Sequence, residues 1–322
     1  MSRGWLASDI PDLTNKVAIV TGSTSGLGFA AAKELAAHNC KVVLTAKSTE
    51  KGTRAVADLK RTVPAASVEY LQLDLSSFGS IRSFVQAFVA KDIGLHILIN
   101  NAGVFCCPHT KTAEGFEVTV GVGYIGHVLL TQLLLDKLKE SVPARIVWVT
   151  ASAKIKATLD WDDLGSEKVD VTGTQQAARC ATLKLLAAFE LDRRLKGTGV
   201  DVTACHPGIA ATEAANKLDT RNGGIFPKVM SLAWPWIGQS VDKAVLPILY
   251  TATAPHVIGQ GIYYGPPTFG GTVEEQQPGH AYVWKRGGEG LEPDLESWSR
   301  ALDTVQRIIE SKKRLGFAPV AL

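Results

Sequence analysis

Several features that would assign this chain of 322 residues to a common functional class are absent from it. Its five cysteines are odd in number and lack the spacing of a metal site, so we expect reduced thiols and no bound metal. The formal net charge is only +3 and the basic residues are dispersed, which argues against nucleic-acid binding. No uninterrupted apolar run reaches the roughly 18 residues of a membrane span, and the first residues lack the apolar core of a signal peptide. These absences predict a cytoplasmic protein without a transmembrane segment.

What the chain does contain is an alternation of short apolar runs and longer amphipathic segments from Lys16 to about Cys205. The strand candidates are Val17–Thr21, Lys41–Thr45, Val68–Leu73, His96–Asn100, Arg145–Thr150 and Val200–Cys205. Helix-length segments lie near residues 27–38, 50–62, 77–91, 121–140 and 174–196. Strands that alternate with helices predict an α/β fold with a doubly wound parallel sheet, the Rossmann fold.

The pattern loosens in the C-terminal third. A helix is predicted at about 240–253, a last strand at Ile262–Tyr264 and an amphipathic helix at Asp294–Lys312. Because neither a linker nor an internal repeat is visible, we predict a single domain over residues 1–322. Within it, residues 10–215 form the cofactor-binding portion and residues 216–322 form a C-terminal lobe that covers the substrate site.

The segment Gly224–Gly238 is rich in aromatic and aliphatic residues. Such a lining favours a bulky, hydrophobic small molecule as the substrate. The alternative is that this segment forms a contact with a membrane surface or with a second subunit, as in a homodimer.

A glycine-rich turn follows the first predicted strand. Thr21–Gly28 reads T-G-S-T-S-G-L-G, and its glycines at positions 22, 26 and 28 stand where a strand passes into a helix. There the backbone can approach a pyrophosphate at the positive end of the helix. Asn100–Gly103, which reads N-N-A-G, ends the fourth strand. Together the two motifs predict a bound dinucleotide.

The end of the second strand distinguishes NAD from NADP. An acidic residue there would hold the ribose 2′-hydroxyl, whereas a basic residue favours a 2′-phosphate. Thr45–Ser48 offers no carboxylate and one cation, Lys47. We therefore predict NADP(H), the alternative being that Lys47 is an ordinary solvated side chain.

These two motifs resemble the short-chain dehydrogenase/reductase family. Further stretches, such as Gly126–Thr131 (G-H-V-L-L-T), are similar to its retinol-dehydrogenase-like branch, whose members have varied substrates. The resemblance covers roughly residues 10–215. It implies a cofactor site made of Gly22, Ser23, Ser25, Gly26, Leu27, Gly28, Lys47, Asp74, Leu75, Asn101, Ala102, Gly103, Lys184, Pro207, Gly208 and Thr212.

Two of these residues have specific implied roles. Asp74 or its adjoining backbone would meet the adenine, although Asp74 could also cap the helix that begins near Phe78. Thr212, in the pattern that begins at Pro207-Gly208, would face the nicotinamide carboxamide.

The resemblance also exposes replacements at the catalytic positions. The family relies on an Asn, a Ser and a Tyr-x-x-x-Lys, and here the matching positions hold Gly123, Ala151, Cys180 and Lys184. The lysine is retained. Cys180 takes the place of the proton donor but is a poor acid there, since a thiol lacks the reach of a phenol. Ser152, one residue beyond the expected serine, either touches the substrate or is a plain loop serine.

Three functions remain open on this evidence. The first is an NADPH-dependent oxidoreductase that acts on an iminium or another activated acceptor, as in secondary metabolism, because such an acceptor needs no general acid. The second is an NADP-retaining scaffold for an isomerisation, dehydration or cyclisation. The third is a catalytically silent NADP-binding protein.

Overall fold

The strands form one parallel sheet. The computed structural model describes residues 5–104, 110–151, 157, 159–164, 173–208, 240–257, 263–265 and 295–314. The strands within these ranges are β1 (Val17–Val20), β2 (Lys41–Ala46), β3 (Val68–Gln72), β4 (Ile97–Asn100), β5 (Ala144–Val149), β6 (Val200–Cys205) and β7 (Tyr263–Tyr264). Their order across the sheet is β3-β2-β1-β4-β5-β6-β7, and every pairing is parallel. The predicted doubly wound sheet is therefore confirmed.

Helices cover both faces of this sheet, which is why the strands are apolar on both sides. The helices are α1 (Gly26–Ala37), α2 (Thr49–Thr62), α3 (Phe78–Val89), α4 (Val118–Glu140), α5 (Gly173–Leu195), α6 (Val241–Ala244), α7 (Leu246–Thr253) and α8 (Leu295–Arg314). One apolar core packs α1, α2, α6 and α7 against one face. The other packs α3, α4, α5 and α8 against the opposite face.

Helix α4 is deeply buried. Its residues Gly121–Ile125 are π-helical, a widened turn that is frequent at functional sites. By length and composition α4 could also cross a membrane, but 78% of its most apolar window is buried inside the protein. A helix in the core of a soluble protein is also apolar on all sides. The composition of α4 is therefore weak evidence for a membrane span. Among the residues that the structure describes, no other helix meets that test.

The described parts of residues 216–322 are the edge strand β7 and helices of the two layers. Helices α6 and α7 pack beside α1, and α8 packs along α5. The Tyr124 hydroxyl of α4 donates a hydrogen bond to Ala301 O of α8 at 2.9 Å, which ties α8 to the buried helix. Residues 209–239 and 266–294 lie outside the described residues, so the lobe that would cover the substrate stays a prediction.

Candidate active site

A cavity of about 440 Å³ opens at the carboxyl ends of strands β1 to β5, where doubly wound sheets bind their ligands. Most of the predicted cofactor residues line it. They are Gly22, Ser25, Gly26, Leu27, Gly28, Lys47, Leu75, Asn101, Ala102, Gly103, Lys184 and Pro207. Asp74 and Gly208 do not belong to this lining, and Thr212 lies outside the described residues.

The glycine-rich turn has the geometry of a cradle for a phosphate. Gly22 and Gly26 adopt positive φ angles of 64° and 59°, which L side chains rarely adopt. A Cβ at Gly28 would lie 2.5 Å from the Gly22 carbonyl oxygen, so helix α1 can begin this close to the turn only with glycine there. The first residues of α1, Gly26, Leu27 and Gly28, line the cavity. This arrangement fits a dinucleotide pyrophosphate.

Ser23 is the exception within that turn. Its hydroxyl donates to Val20 O at 2.7 Å and accepts from Thr45 N at 2.9 Å, and the residue is fully buried. The Ser23 side chain therefore ties the turn to β1 and β2, and the contact of Ser23 with the cofactor stays a prediction.

Thr21 joins the two cofactor motifs, a role that our sequence analysis missed. Its hydroxyl oxygen accepts hydrogen bonds from Asn101 N at 2.8 Å and from Ala102 N at 2.9 Å. The Asn101 side-chain amide donates back to Thr21 O at 2.8 Å. The glycine-rich turn and the N-N-A-G turn are thereby held as a single wall of the cavity.

Two cations line the outer end of the cavity. Lys47 follows β2 as predicted, and Lys51, in the first turns of α2, lies beside it. The Lys47 ammonium pairs with the Asp74 carboxylate at 2.9 Å, and Asp74 also accepts from Ser76 N and Ser76 Oγ. Burial raises the pKa of Asp74, but its bonds from Ser76 and Lys47 outweigh this effect and lower that pKa.

Asp74 does not cap the following helix. Ser77 is the N-cap residue of α3, where its hydroxyl accepts from Ser80 N. The capping interpretation of Asp74 is therefore wrong, because its carboxylate is already held by Ser76 and Lys47. The two leucines on either side of it, Leu73 and Leu75, do line the cavity.

Lys184 lies at the inner end of the cavity. Its ammonium donates to Val149 O at 3.0 Å, and only 3% of the residue is exposed. Burial lowers the pKa of Lys184. Thr150 also lines this end and was not predicted, but its hydroxyl is already donated to Ala181 O at 3.0 Å. Lys184 thus offers its remaining donors to whatever occupies the cavity.

The Cys180 thiol faces helix α4. A Cβ built on Gly123 would lie 2.5 Å from Cys180 Sγ, so this sulfur fills the space that a side chain at position 123 would need. Cys180 is 4% exposed and, unlike Lys184, is absent from the described cavity lining. Burial raises the pKa of its thiol. The replacements at positions 123 and 180 therefore form one packing unit.

The other side chains considered near the site have structural contacts. Tyr124 is fully buried in the core. His127 lies between Thr21 Oγ1 at 2.8 Å and Gly123 O at 3.0 Å. Ser152 lies outside the described residues. Within the described ranges, no cluster of three or more His, Cys, Asp or Glu side chains could hold a metal ion.

Comparison with known proteins agrees with this arrangement. Residues 16–223 match the family model for short chain dehydrogenase, so the chain belongs to the short-chain dehydrogenase family. The relatives it matches place it in the retinol-dehydrogenase-like branch of that family, as the sequence motifs predicted.

Two human relatives and one solved structure illustrate the likeness. The chain is 42% identical to retinol dehydrogenase 11 over 215 residues, which is 66% of each protein and thus just under two thirds of that relative. It is 37% identical to polyprenol dehydrogenase over 269 residues, 81% of this chain and 79% of that one. The fold matches an uncharacterized protein from Mycobacterium paratuberculosis with a TM-score of 0.72 and 24% identity, covering 95% of this chain and 98% of the other.

Proposed function

We propose that this protein is an NADP(H)-dependent oxidoreductase that acts on a bulky hydrophobic molecule at an activated acceptor group. The single observation that carries this proposal is the cavity with cations at its outer end and Lys184 at its inner end. Membership of an oxidoreductase family supports the enzymatic role.

The charges at the outer end favour NADP(H) over NAD(H). The extra 2′-phosphate of NADP is anionic, and Lys47 and Lys51 line that end, with Lys51 in the first turn of α2, the positive end of that helix. No Asp or Glu belongs to the described lining of the cavity. The Asp74 carboxylate offsets part of the charge of Lys47, but Lys51 is not paired with it.

The inner end favours an acceptor that needs little acid catalysis. A bound nicotinamide cofactor supplies or accepts a hydride there. Lys184 would hold the ribose hydroxyls through donors that Val149 O leaves free. The Cys180 thiol faces Gly123 and is absent from the described cavity lining, and burial raises its pKa, which makes it a weaker acid, so it is poorly suited to deliver a proton to a substrate. A cationic acceptor such as an iminium becomes neutral when it accepts a hydride and requires no proton.

The names of the relatives support a hydrophobic substrate. Retinol dehydrogenase 11 and polyprenol dehydrogenase are named for long isoprenoid alcohols. The apolar and aromatic composition of Gly224–Gly238 agrees with such a substrate.

A second function is favoured by one observation, the absence of Cys180 from the cavity lining. Without a proton donor at that position, the cofactor could be retained as part of a scaffold for an isomerisation, dehydration or cyclisation. Our proposal of hydride transfer and this alternative differ in what happens to the cofactor.

An experiment with NADPH that carries deuterium on one or the other face of C4 distinguishes hydride transfer from the scaffold function. The native protein would be incubated with each labelled cofactor and a panel of isoprenoid aldehydes, ketones and iminium ions, and the products analysed by mass spectrometry. We expect one of the two labels to enter a product while the cofactor is oxidised. An unlabelled product with unchanged cofactor would instead support the scaffold, and cofactor binding without any product would support a silent protein.

A further inference from the structure

His127 connects two walls of the cavity. It is fully buried on α4 and lies between Thr21, which holds the N-N-A-G turn, and Gly123, in the π-helical segment. Asn101 and Ala102 of that turn and Val122 of that segment all line the cavity. The Trp148 ring packs against the imidazole at an angle of 67°, with 6.1 Å between the ring centroids, and so restricts its tilt.

The protons in this network can be assigned from its partners. Gly123 O can only accept, so Nδ1 of His127 carries the proton and donates it at 3.0 Å. The two acceptor positions of the Thr21 hydroxyl are taken by Asn101 N and Ala102 N, so that hydroxyl donates. Its nearer acceptor is His127 Nε2 at 2.8 Å, compared with Ile99 O at 3.2 Å. His127 must therefore be neutral, in agreement with burial that lowers its pKa to about 3.

We infer that His127 is a positioning residue, whose neutral ring sets the N-N-A-G turn at a fixed distance from the π-helical segment beside Cys180 and Lys184. Its Nε2 lone pair orients the Thr21 hydroxyl, which in turn orients two backbone N–H groups of the turn. Its Nδ1–H holds the Gly123 carbonyl. This inference rests on the proposed binding of NADP(H) for its effect on affinity, but not for its effect on the turn itself.

Three substitutions of His127 distinguish its hydrogen bond with Thr21 from its hydrogen bond to Gly123 O. In His127→Gln, the amide oxygen can reach the place of Nε2 and accept from Thr21. In His127→Asn, the shorter amide can replace only the Nδ1 donor to Gly123 O. His127→Leu replaces neither. Leu134→Ala serves as the control, because Leu134 is buried on the same helix but makes none of these hydrogen bonds.

The first measurement is amide hydrogen exchange of the peptide that spans residues 100–103, in the protein without added cofactor. We expect exchange there to quicken by about tenfold in His127→Leu and His127→Asn and to stay within about threefold of native in His127→Gln, the range that loss of one hydrogen bond allows. Leu134→Ala should change this peptide no more than other peptides of the core. Equal exchange in all four variants, or exchange raised uniformly across the sheet, would overturn the positioning role.

The second measurement is the dissociation constant for NADPH. We expect the constant to rise about fivefold in His127→Leu and little in His127→Gln or Leu134→Ala. If the native protein bound no NADPH, the proposed function would fail while the exchange data still decided the role of His127. If native protein and His127→Leu bound NADPH equally well, only the inference about His127 would fail.

Discussion

At the scale of single residues, the site separates groups that face the cavity from groups that hold its walls. Lys47, Lys51 and Lys184 line the cavity, whereas Ser23 and Cys180 are turned into the protein. The residues that resemble a catalytic set therefore differ in what they can do. Lys184 can bind a ligand directly, and Cys180 acts through packing.

A substitution of Cys180 tests whether its thiol acts only through packing. If its thiol only fills space beside Gly123, Cys180→Ala should keep turnover of the true substrate within roughly tenfold of native, less than a general acid usually contributes. Steady-state kinetics with the substrate found by label transfer would measure this, with Cys205→Ala, another buried cysteine, as the control. Loss of more than about a hundredfold, with folding and NADPH binding intact, would make Cys180 the catalyst.

Lys184 gives the complementary prediction. Its ammonium donates to Val149 O and reaches the inner cavity, so Lys184→Ala should weaken NADPH binding by about tenfold through loss of a charge-assisted hydrogen bond. Titration calorimetry can compare it with Lys60→Ala, an exposed lysine of α2 outside the lining. Unchanged NADPH binding together with lost turnover would instead identify Lys184 as an acid or base.

At the scale of elements, the close contacts of α4 with its neighbours explain two of its glycines. Glycine costs about 1 kcal/mol relative to alanine within a helix, so the two glycines in Gly121–Gly123 need a structural reason. In the structure a Cβ at Gly121 would lie 2.3 Å from the Thr112 methyl group, and one at Gly123 would meet Cys180. The glycines permit a close approach of α4 to its neighbours.

A double-mutant cycle tests this contact. Gly123→Ala should lower the free energy of unfolding by about 1–3 kcal/mol, the usual cost of overpacking. The same change in a Cys180→Ala background should cost less, because the sulfur that it meets is gone. Urea unfolding of the native protein, both single variants and the double variant gives the coupling. Additive effects would show that Gly123 and Cys180 do not share this space.

At the scale of the whole molecule, the buried His127 links stability to pH. Its folded-state pKa of about 3 lies below the unfolded value of about 6.5, so the unfolded chain takes up the proton first as pH falls. The contribution of His127 to stability is complete above pH ~6.5 and is lost progressively down to pH ~3. Between pH 6 and pH 5 the native protein should lose about 1 kcal/mol more stability than His127→Gln. Parallel losses in the two proteins would contradict the buried, neutral state.

Sequence patterns predicted the layers of this molecule well, because strands buried on both faces leave continuous apolar runs such as Val17–Val20. They predicted individual contacts less well. The sequence of a glycine-rich turn does not show whether its serine side chain faces the cavity or, like Ser23, the strand behind it. Lys51 was missed because it lies in α2, beyond the end of β2 where the specificity residue was sought. His127 and Thr21 are 106 residues apart, so only the fold brings them together.

We propose that the cations at the outer end of the cavity select NADP(H). The most direct measurement is the pair of dissociation constants for NADPH and NADH in the native protein, in Lys47→Asp and in the control Lys60→Asp, which makes the same change of charge outside the cavity. We predict that the native protein and Lys60→Asp bind NADPH at least about tenfold more tightly than NADH, and that Lys47→Asp erases or reverses this preference. Equal dissociation constants for NADPH and NADH in the native protein would show that these cations do not select NADP(H).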